Sequence, residues 1–229
     1  MAPTITSILF DNDGLLLNTE HLYTEISQAI LTPYGKEFTW DIKVKMMGRT
    51  ESEGAKILVE HLEIPMTADE YIMKKREIQW DYFAQSQFLP GAQRLLKHLI
   101  RHNVPMCVAT GSDKKAFEHK TLRHQHIYSA FGDRIVCGDD PAVKKGKPSP
   151  DIFLEAARRI GADPATTLVF EDSANGVAAA RAAGMSVIWI PDPRTDRSQA
   201  EATEILDSLE DFKPEKYGLA PFDDEAKEE

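Results

Sequence analysis

The sequence predicts an α/β protein: a doubly wound, mostly parallel sheet with an inserted α-helical domain. Three observations lead there. Short apolar runs at 7–10, 105–109, 135–137, 167–170 and 186–190 have the length and composition of buried strands. Helical patterns lie between most of them, and strands alternating with helices build parallel sheets. The stretch 18–87 breaks the alternation and contains no convincing strand.

The first strand ends in Asp11-Asn12-Asp13-Gly14. Alternate side chains of an extended backbone point the same way, so Asp11 and Asp13 can face one pocket while Asn12 points elsewhere. Two carboxylates held this close repel unless a cation or a shared proton relieves them. A calcium loop would need glycine at its sixth position and glutamate at its twelfth. Counting from Asp11, the glycine is fourth and the twelfth residue is Leu22.

The insert follows directly. It offers helical patterns at 22–31, 41–47, 52–62 and 68–83, separated by Pro33-Tyr34-Gly35, Gly48 and Pro65. The domain plan is therefore a discontinuous core, 1–17 with 88–229, and a helical domain, 18–87. Beyond it, Pro90-Gly91 opens a helix with Leu95, Leu96, Leu99 and Ile100 on one face.

The strand at 105–109 ends in Thr110-Gly111-Ser112. Hydroxyls and exposed N–H groups there can cradle an oxyanion, or simply cap the next helix. In Lys144-Lys145-Gly146-Lys147-Pro148, the flanking glycine and proline fix the backbone around Lys147, just before a helix that Pro150-Asp151 opens and Gly161 stops. The strand at 167–170 ends in Glu171-Asp172-Ser173, followed by a small-residue helix at 175–183 closed by Gly184. Helix capping accounts for one of these acids. It does not account for Glu171 on an otherwise apolar strand.

Composition limits the function classes. The chain has 229 residues, 42% hydrophobic, and a formal net charge of -10. That balance argues against general nucleic-acid binding. The acidic tail 222–229 is read as frayed. Cys107 and Cys137 adjoin apolar strands and read as buried free thiols of a reducing compartment. No signal peptide or membrane-spanning run is visible. The expectation is a soluble cytoplasmic monomer with a small-molecule substrate and neither nucleic-acid nor membrane partners. His119, His124 and His126 lie on a polar helical segment without cysteine or acidic partners at ligand spacing, so no zinc site is read there. His21, His61, His98 and His102 read as ordinary surface or core-edge residues. Trp40, Trp80 and Trp189 read as packing residues.

In open α/β sheets, ligands bind at the carboxyl ends of the strands. The four strand ends together supply carboxylates, hydroxyls and an ammonium, a set suited to Mg²⁺-assisted phosphoryl transfer.

The ordered set Asp11-Asn12-Asp13-Gly14, Thr110-Gly111-Ser112, Lys147-Pro148 and Glu171-Asp172 resembles the four motifs of the haloacid dehalogenase superfamily, over nearly the whole chain. The helical insert resembles that family's small cap. The resemblance implies Asp11 as the nucleophile that forms an aspartyl-phosphate and Asp13 as general acid/base. It implies that Thr110, Gly111, Ser112 and Lys147 bind the transferring phosphoryl group. Mg²⁺ would be held by Asp11, the Asp13 main-chain carbonyl, Glu171 and Asp172. The second aspartate favours phosphate over halide chemistry. Asn18 departs from the aspartate that the family often has at the start of the cap linker. In this family the cap largely sets substrate choice. Met46-Met47-Gly48-Arg49-Thr50 is the candidate substrate loop, with Arg49 for a second anionic or hydroxylated group and Glu20 and Tyr23 as weaker candidates. Lys74, Lys75 and Arg76 read as a solvated face.

A finer pattern, including Gly138-Asp139-Asp140-Pro141 and the stretch from Gly146 to Phe153, resembles the eukaryotic pseudouridine-5'-phosphatases. Glycerol-phosphate and 2-deoxysugar-phosphate phosphatases share much of it. A β-phosphoglucomutase-like sugar phosphomutase and a catalytically silent scaffold are the other readings.

Overall fold

The computed structural model describes residues 4–46 and 49–223. Met47 and Gly48, which belong to the expected substrate loop and helix end, lie outside the described residues, as does the acidic tail 224–229. The chain divides into two compact units, Met1–Asn18 with Gln87–Glu229, and Thr19–Ser86.

The larger unit is a six-stranded parallel sheet in the order β3-β2-β1-β4-β5-β6. Its strands are β1 (Ser7–Phe10), β2 (Met106–Ala109), β3 (Ile135–Val136), β4 (Thr167–Glu171), β5 (Ser186–Trp189) and β6 (Glu204–Ile205). The two-residue spacing of strand side chains divides the core between the two faces. Ile8, Phe10, Val108, Phe170 and Ile188 pack on one face with Leu95, Leu96 and Leu99. Leu9, Cys107, Ala109, Val169, Val187 and Trp189 pack on the other with Phe153, Ala156, Val177 and Ala180. Both cysteines are buried free thiols.

Position in the sheet decides what meets at the site. β1 lies between β2 and β4, with Phe10 in register with Val108 on one side and Phe170 on the other. The residues that follow these strands therefore emerge side by side at their carboxyl ends. The apolar pattern of the sequence does not reveal β6. It is two half-buried residues long and pairs with Ile188 and Trp189 at the sheet edge.

Among its described residues the smaller unit has four α-helices, α1 (Thr19–Leu31), α2 (Trp40–Met46), α3 (Glu51–Leu62) and α4 (Ala68–Phe83), with a 3-10 turn at Thr32–Tyr34 after α1. Capping boxes open α3 (Thr50 with Glu53) and α4 (Thr67 with Glu70). Tyr71 Oη donates to Ser27 Oγ at 2.9 Å in the helical core. Lys74 and Arg76 are exposed, as expected of a solvated face, and Lys75 is half-buried. Lys75 and Arg76 reach Glu51 at 3.2 and 2.7 Å, and Lys74 donates to Tyr34 Oη at 3.3 Å. At the other unit's edge, Asn18 N–H donates to the Gln87 carbonyl at 2.9 Å, holding the two connecting strands of chain together. Among the described residues no helix is long and apolar enough to cross a membrane.

Candidate active site

Asp11 leaves the end of β1 with its N–H bonded to the Phe170 carbonyl of β4 at 3.0 Å. Its carboxylate Oδ1 accepts from Lys147 Nζ at 2.5 Å. The same ammonium donates to Glu171 Oε1 at 2.6 Å and to the Ala109 carbonyl at 3.1 Å. One lysine thus ties together the ends of β1, β2 and β4. It reaches them from a loop that folds back onto the first residue of α8 (Asp151–Ile160), where Asp151 Oδ2 accepts from the N–H groups of Lys144 and Lys145 at 3.0 and 3.1 Å.

Asp11 is 6% exposed. Its pKa is pushed up to about 7, chiefly by burial; Lys147 opposes the rise, and Glu171 and Asp13 add to it. Burial would lower the Lys147 ammonium's pKa, but the two carboxylates against it raise it well above the ordinary value.

Asp13 occupies a separate ring of donors. Thr110 Oγ1 and Ser112 Oγ donate to its Oδ2 at 2.9 and 2.8 Å. Lys120 Nζ meets Oδ1 at 2.5 Å and Ser112 Oγ at 2.8 Å. The Ser112 N–H closes the turn on Thr110 Oγ1 at 3.1 Å. Gly111 backs this turn: its carbonyl is so close to Gly138 that a Cβ there would lie 2.4 Å from the oxygen.

Glu171 is fully buried. Its Oε2 accepts from the N–H groups of Asp172 and Ser173 and from Ser173 Oγ, at 3.1, 3.1 and 3.0 Å. It leans on the start of α9 (Ala174–Ala182), where Gly176 leaves room: a Cβ there would fall 1.8 Å from the Glu171 carboxyl carbon. The Asp172 carbonyl accepts from Trp189 Nε1 at 2.8 Å.

Asn12, expected to point away from the pocket, is buried, and its Oδ1 accepts at 2.5 Å from Oη of Tyr128, the last residue of α7 (Gln125–Tyr128). Asp11, Asp13, Thr110, Ser112, Lys147, Glu171 and Asp172 are thus gathered at three adjacent strand ends. Lys120, Trp189 and Tyr128 are additions that the sequence reading missed. A signal for Lys120 was present. In α6 (Lys114–Thr121) it falls on the face of Ala116 and Phe117, four and three residues earlier, and that face is buried.

A hard divalent cation fits these residues. Three carboxylates, those of Asp11, Asp13 and Glu171, pair with the two ammonium groups of Lys120 and Lys147, Asp172 follows Glu171 in the chain, and the donors are all oxygen. Burial, with Glu171 and Asp13, raises the Asp11 pKa more than Lys147 lowers it, and a cation beside the carboxylate would act in the same direction as Lys147.

Glu20 and Arg49 both line a cavity of about 200 Å³ inside the helical unit, with Tyr23, Lys43, Glu51 and Lys75. Glu20 is engaged by Lys43 at 2.9 Å, and Arg49 is exposed.

A family model described as haloacid dehalogenase-like hydrolase matches residues 5–184. The chain is 47% identical over 227 residues to "(DL)-glycerol-3-phosphatase 2" of Arabidopsis thaliana, covering 96% of this chain and 94% of that protein. It is 46% identical over 223 residues to "Probable pseudouridine-5'-phosphatase" of Drosophila melanogaster, covering 96% of each. The fold matches a haloacid dehalogenase family hydrolase from Deinococcus radiodurans R1, solved with bound phosphate and sodium, at a TM-score of 0.80 and 22% identity, over 95% of this chain and 99% of that one.

Proposed function

The chain belongs to the haloacid dehalogenase-like hydrolase family as one of its phosphatases, and from that premise we propose that it hydrolyses a small phosphomonoester through an aspartyl-phosphate on Asp11, with Mg²⁺ as cofactor. The observation that carries this reading is the buried Asp11 carboxylate at the end of β1, held against Lys147 at 2.5 Å and pushed up to about 7. A carboxylate made costly by burial and like charge, in a site rich in hydroxyls and ammonium groups, is arranged for chemistry rather than for stability.

The chain's own residues divide the work. Asp11 attacks phosphorus and the bond to the leaving oxygen breaks, while protonated Asp13 supplies that oxygen's proton. Water then attacks the phosphorus of the aspartyl-phosphate, Asp13 takes the proton, and the Asp11 carboxylate is restored. Lys147 offsets the repulsion between Asp11 and a phosphate dianion. The Asp13 geometry corresponds to the base form, with an ammonium and two hydroxyls on a carboxylate. Asp11, the Asp13 main-chain carbonyl, Glu171 and Asp172 would hold Mg²⁺, which would supply positive charge that keeps Asp11 ionised and draws charge from the phosphoryl oxygens.

Two relatives of nearly equal identity carry different substrate names, so overall identity does not select the substrate. We assign selectivity to the helical unit, with Arg49 its principal residue and Glu20 secondary. The class is a glycerol, sugar or nucleoside monophosphate, pseudouridine 5'-phosphate included. A cytoplasmic location is in keeping with the two buried free thiols. The test is a phosphate-release screen over such monophosphates with Mg²⁺. Release from at least one, weakened mainly through KM by Arg49→Ala, supports the reading. Migration of phosphate within a sugar phosphate without net release would make the protein a mutase, and no turnover of any member would refute the proposal.

A further inference from the structure

Remote from β1 in sequence and chemistry, α5 (Ala92–Arg101) ends in two histidines. His98 lies in the last turn and His102 at the C-cap, four residues on and therefore on one face. His98 is 3% exposed. Its Nε2 is 2.9 Å from the Ala220 carbonyl. A carbonyl only accepts, so Nε2 carries the hydrogen and the lone pair of the neutral ring sits on Nδ1. Burial is the main reason that the ring's pKa is lowered, which favours this neutral form. Nδ1 is buried and has no hydrogen-bond partner. A buried nitrogen of this kind calls for an explanation.

The chain's C-terminal stretch brings a third donor. Phe222 packs its ring 4.8 Å from that of His98, and Arg94 lies 4.2 Å from the Phe222 ring centroid. These contacts deliver Asp223 to the two histidines. One nitrogen from each imidazole and one Asp223 oxygen all lie within 4.8 Å of one another. Arg101 pairs with Oδ2 of Asp223, which leaves the second carboxylate oxygen for another partner.

Two imidazoles and a carboxylate suit Zn²⁺ and not Mg²⁺, which prefers an all-oxygen shell. A backbone carbonyl that fixes the ring tautomer from behind is the usual support of a metal-ligating histidine. We propose that His98, His102 and Asp223 form a zinc site, with water as fourth ligand, that clips the Ala220–Asp223 segment to the end of α5. Bonds of about 2.0–2.1 Å to one ion bring tetrahedral donors to roughly 3.3 Å apart. His102 and Asp223, both exposed, supply that closure. The proposal is independent of the phosphatase reading.

The test is calorimetric titration of tag-free full-length protein with Zn²⁺, in excess Mg²⁺ to fill the carboxylate-rich site. Wild type should take up one zinc ion at micromolar or tighter affinity. His102→Gln and Asp223→Asn, both at exposed positions, should weaken that uptake at least ~10-fold while leaving phosphate release unchanged. Asp11→Asn should bind zinc as wild type does. No uptake by wild type, unchanged uptake in both exposed variants, or loss of uptake in Asp11→Asn would each overturn the proposal.

Discussion

Lys120 Nζ lies 2.5 Å from Asp13 Oδ1, on a side chain wholly closed to solvent. The pair joins the last turn of α6 to the residue assigned the proton transfers. Lys120 is a positioning residue in this account. It keeps Asp13 in place between Thr110 and Ser112 and touches neither attacking nor leaving atom.

Lys120→Met keeps much of the side-chain length and removes the charge. Removing a charged hydrogen-bond partner costs about 1.5–3 kcal/mol. The expected result is lower stability and a kcat at least ~10-fold down with KM little changed, because Asp13 acts in the chemical step. Steady-state phosphate release, with denaturant unfolding as the companion measurement, checks both. A variant with wild-type kcat would remove Lys120 from the account.

Gly176→Ala tests the seat of Glu171. The added Cβ would fall 1.8 Å from a carboxyl carbon already held by Lys147 and the Asp172–Ser173 turn. Glu171 cannot yield without losing those bonds. Overpacking of this kind costs typically about 1–3 kcal/mol. A fall in melting temperature together with reduced phosphatase activity is expected. Wild-type values of both would show that the Glu171 carboxylate moves freely.

Acid sensitivity has a defined source outside the site. Glu155 of α8 accepts from Arg158 at 2.7 and 2.8 Å and from Arg159 at 2.9 Å. Those bonds, Arg158's first, outweigh burial and hold its carboxyl near about 2 against the ordinary 4.5. The folded-state pKa is depressed, so this stabilisation is full above the unfolded value and fades as pH falls from 4.5 toward about 2. Glu155→Gln should cost on the order of 1 kcal/mol at about pH 6, and the gap from wild type should narrow by about pH 3. Denaturant unfolding at the two pH values measures it, and a gap independent of pH would contradict the assignment.

Much of this architecture was legible in the sequence because its strands are buried on both faces and read as unbroken apolar runs. β1, β2 and β4 and the acids and hydroxyls at their ends follow from that pattern. β6 did not, because two half-buried residues carry no periodicity. Trp189 illustrates a different limit. An apolar strand residue reads as packing, and only the fold reveals that its indole N–H holds the Asp172 carbonyl. His98 was unreadable for a related reason, since the carbonyl that fixes its tautomer belongs to Ala220, far along the chain. The ion pairs of Lys75 and Arg76 were not readable because their partner, Glu51, lies on a different helix.

The central claim is that Asp11 becomes covalently phosphorylated. Its most direct test is acid quenching of the enzyme during turnover of an active monophosphate with Mg²⁺, followed by mass spectrometry of the peptide bearing Asp11. The account predicts a phosphoryl adduct on Asp11 that disappears, along with phosphate release, in Asp11→Asn. Phosphate release that persists in Asp11→Asn, or an adduct found on another residue, would contradict it.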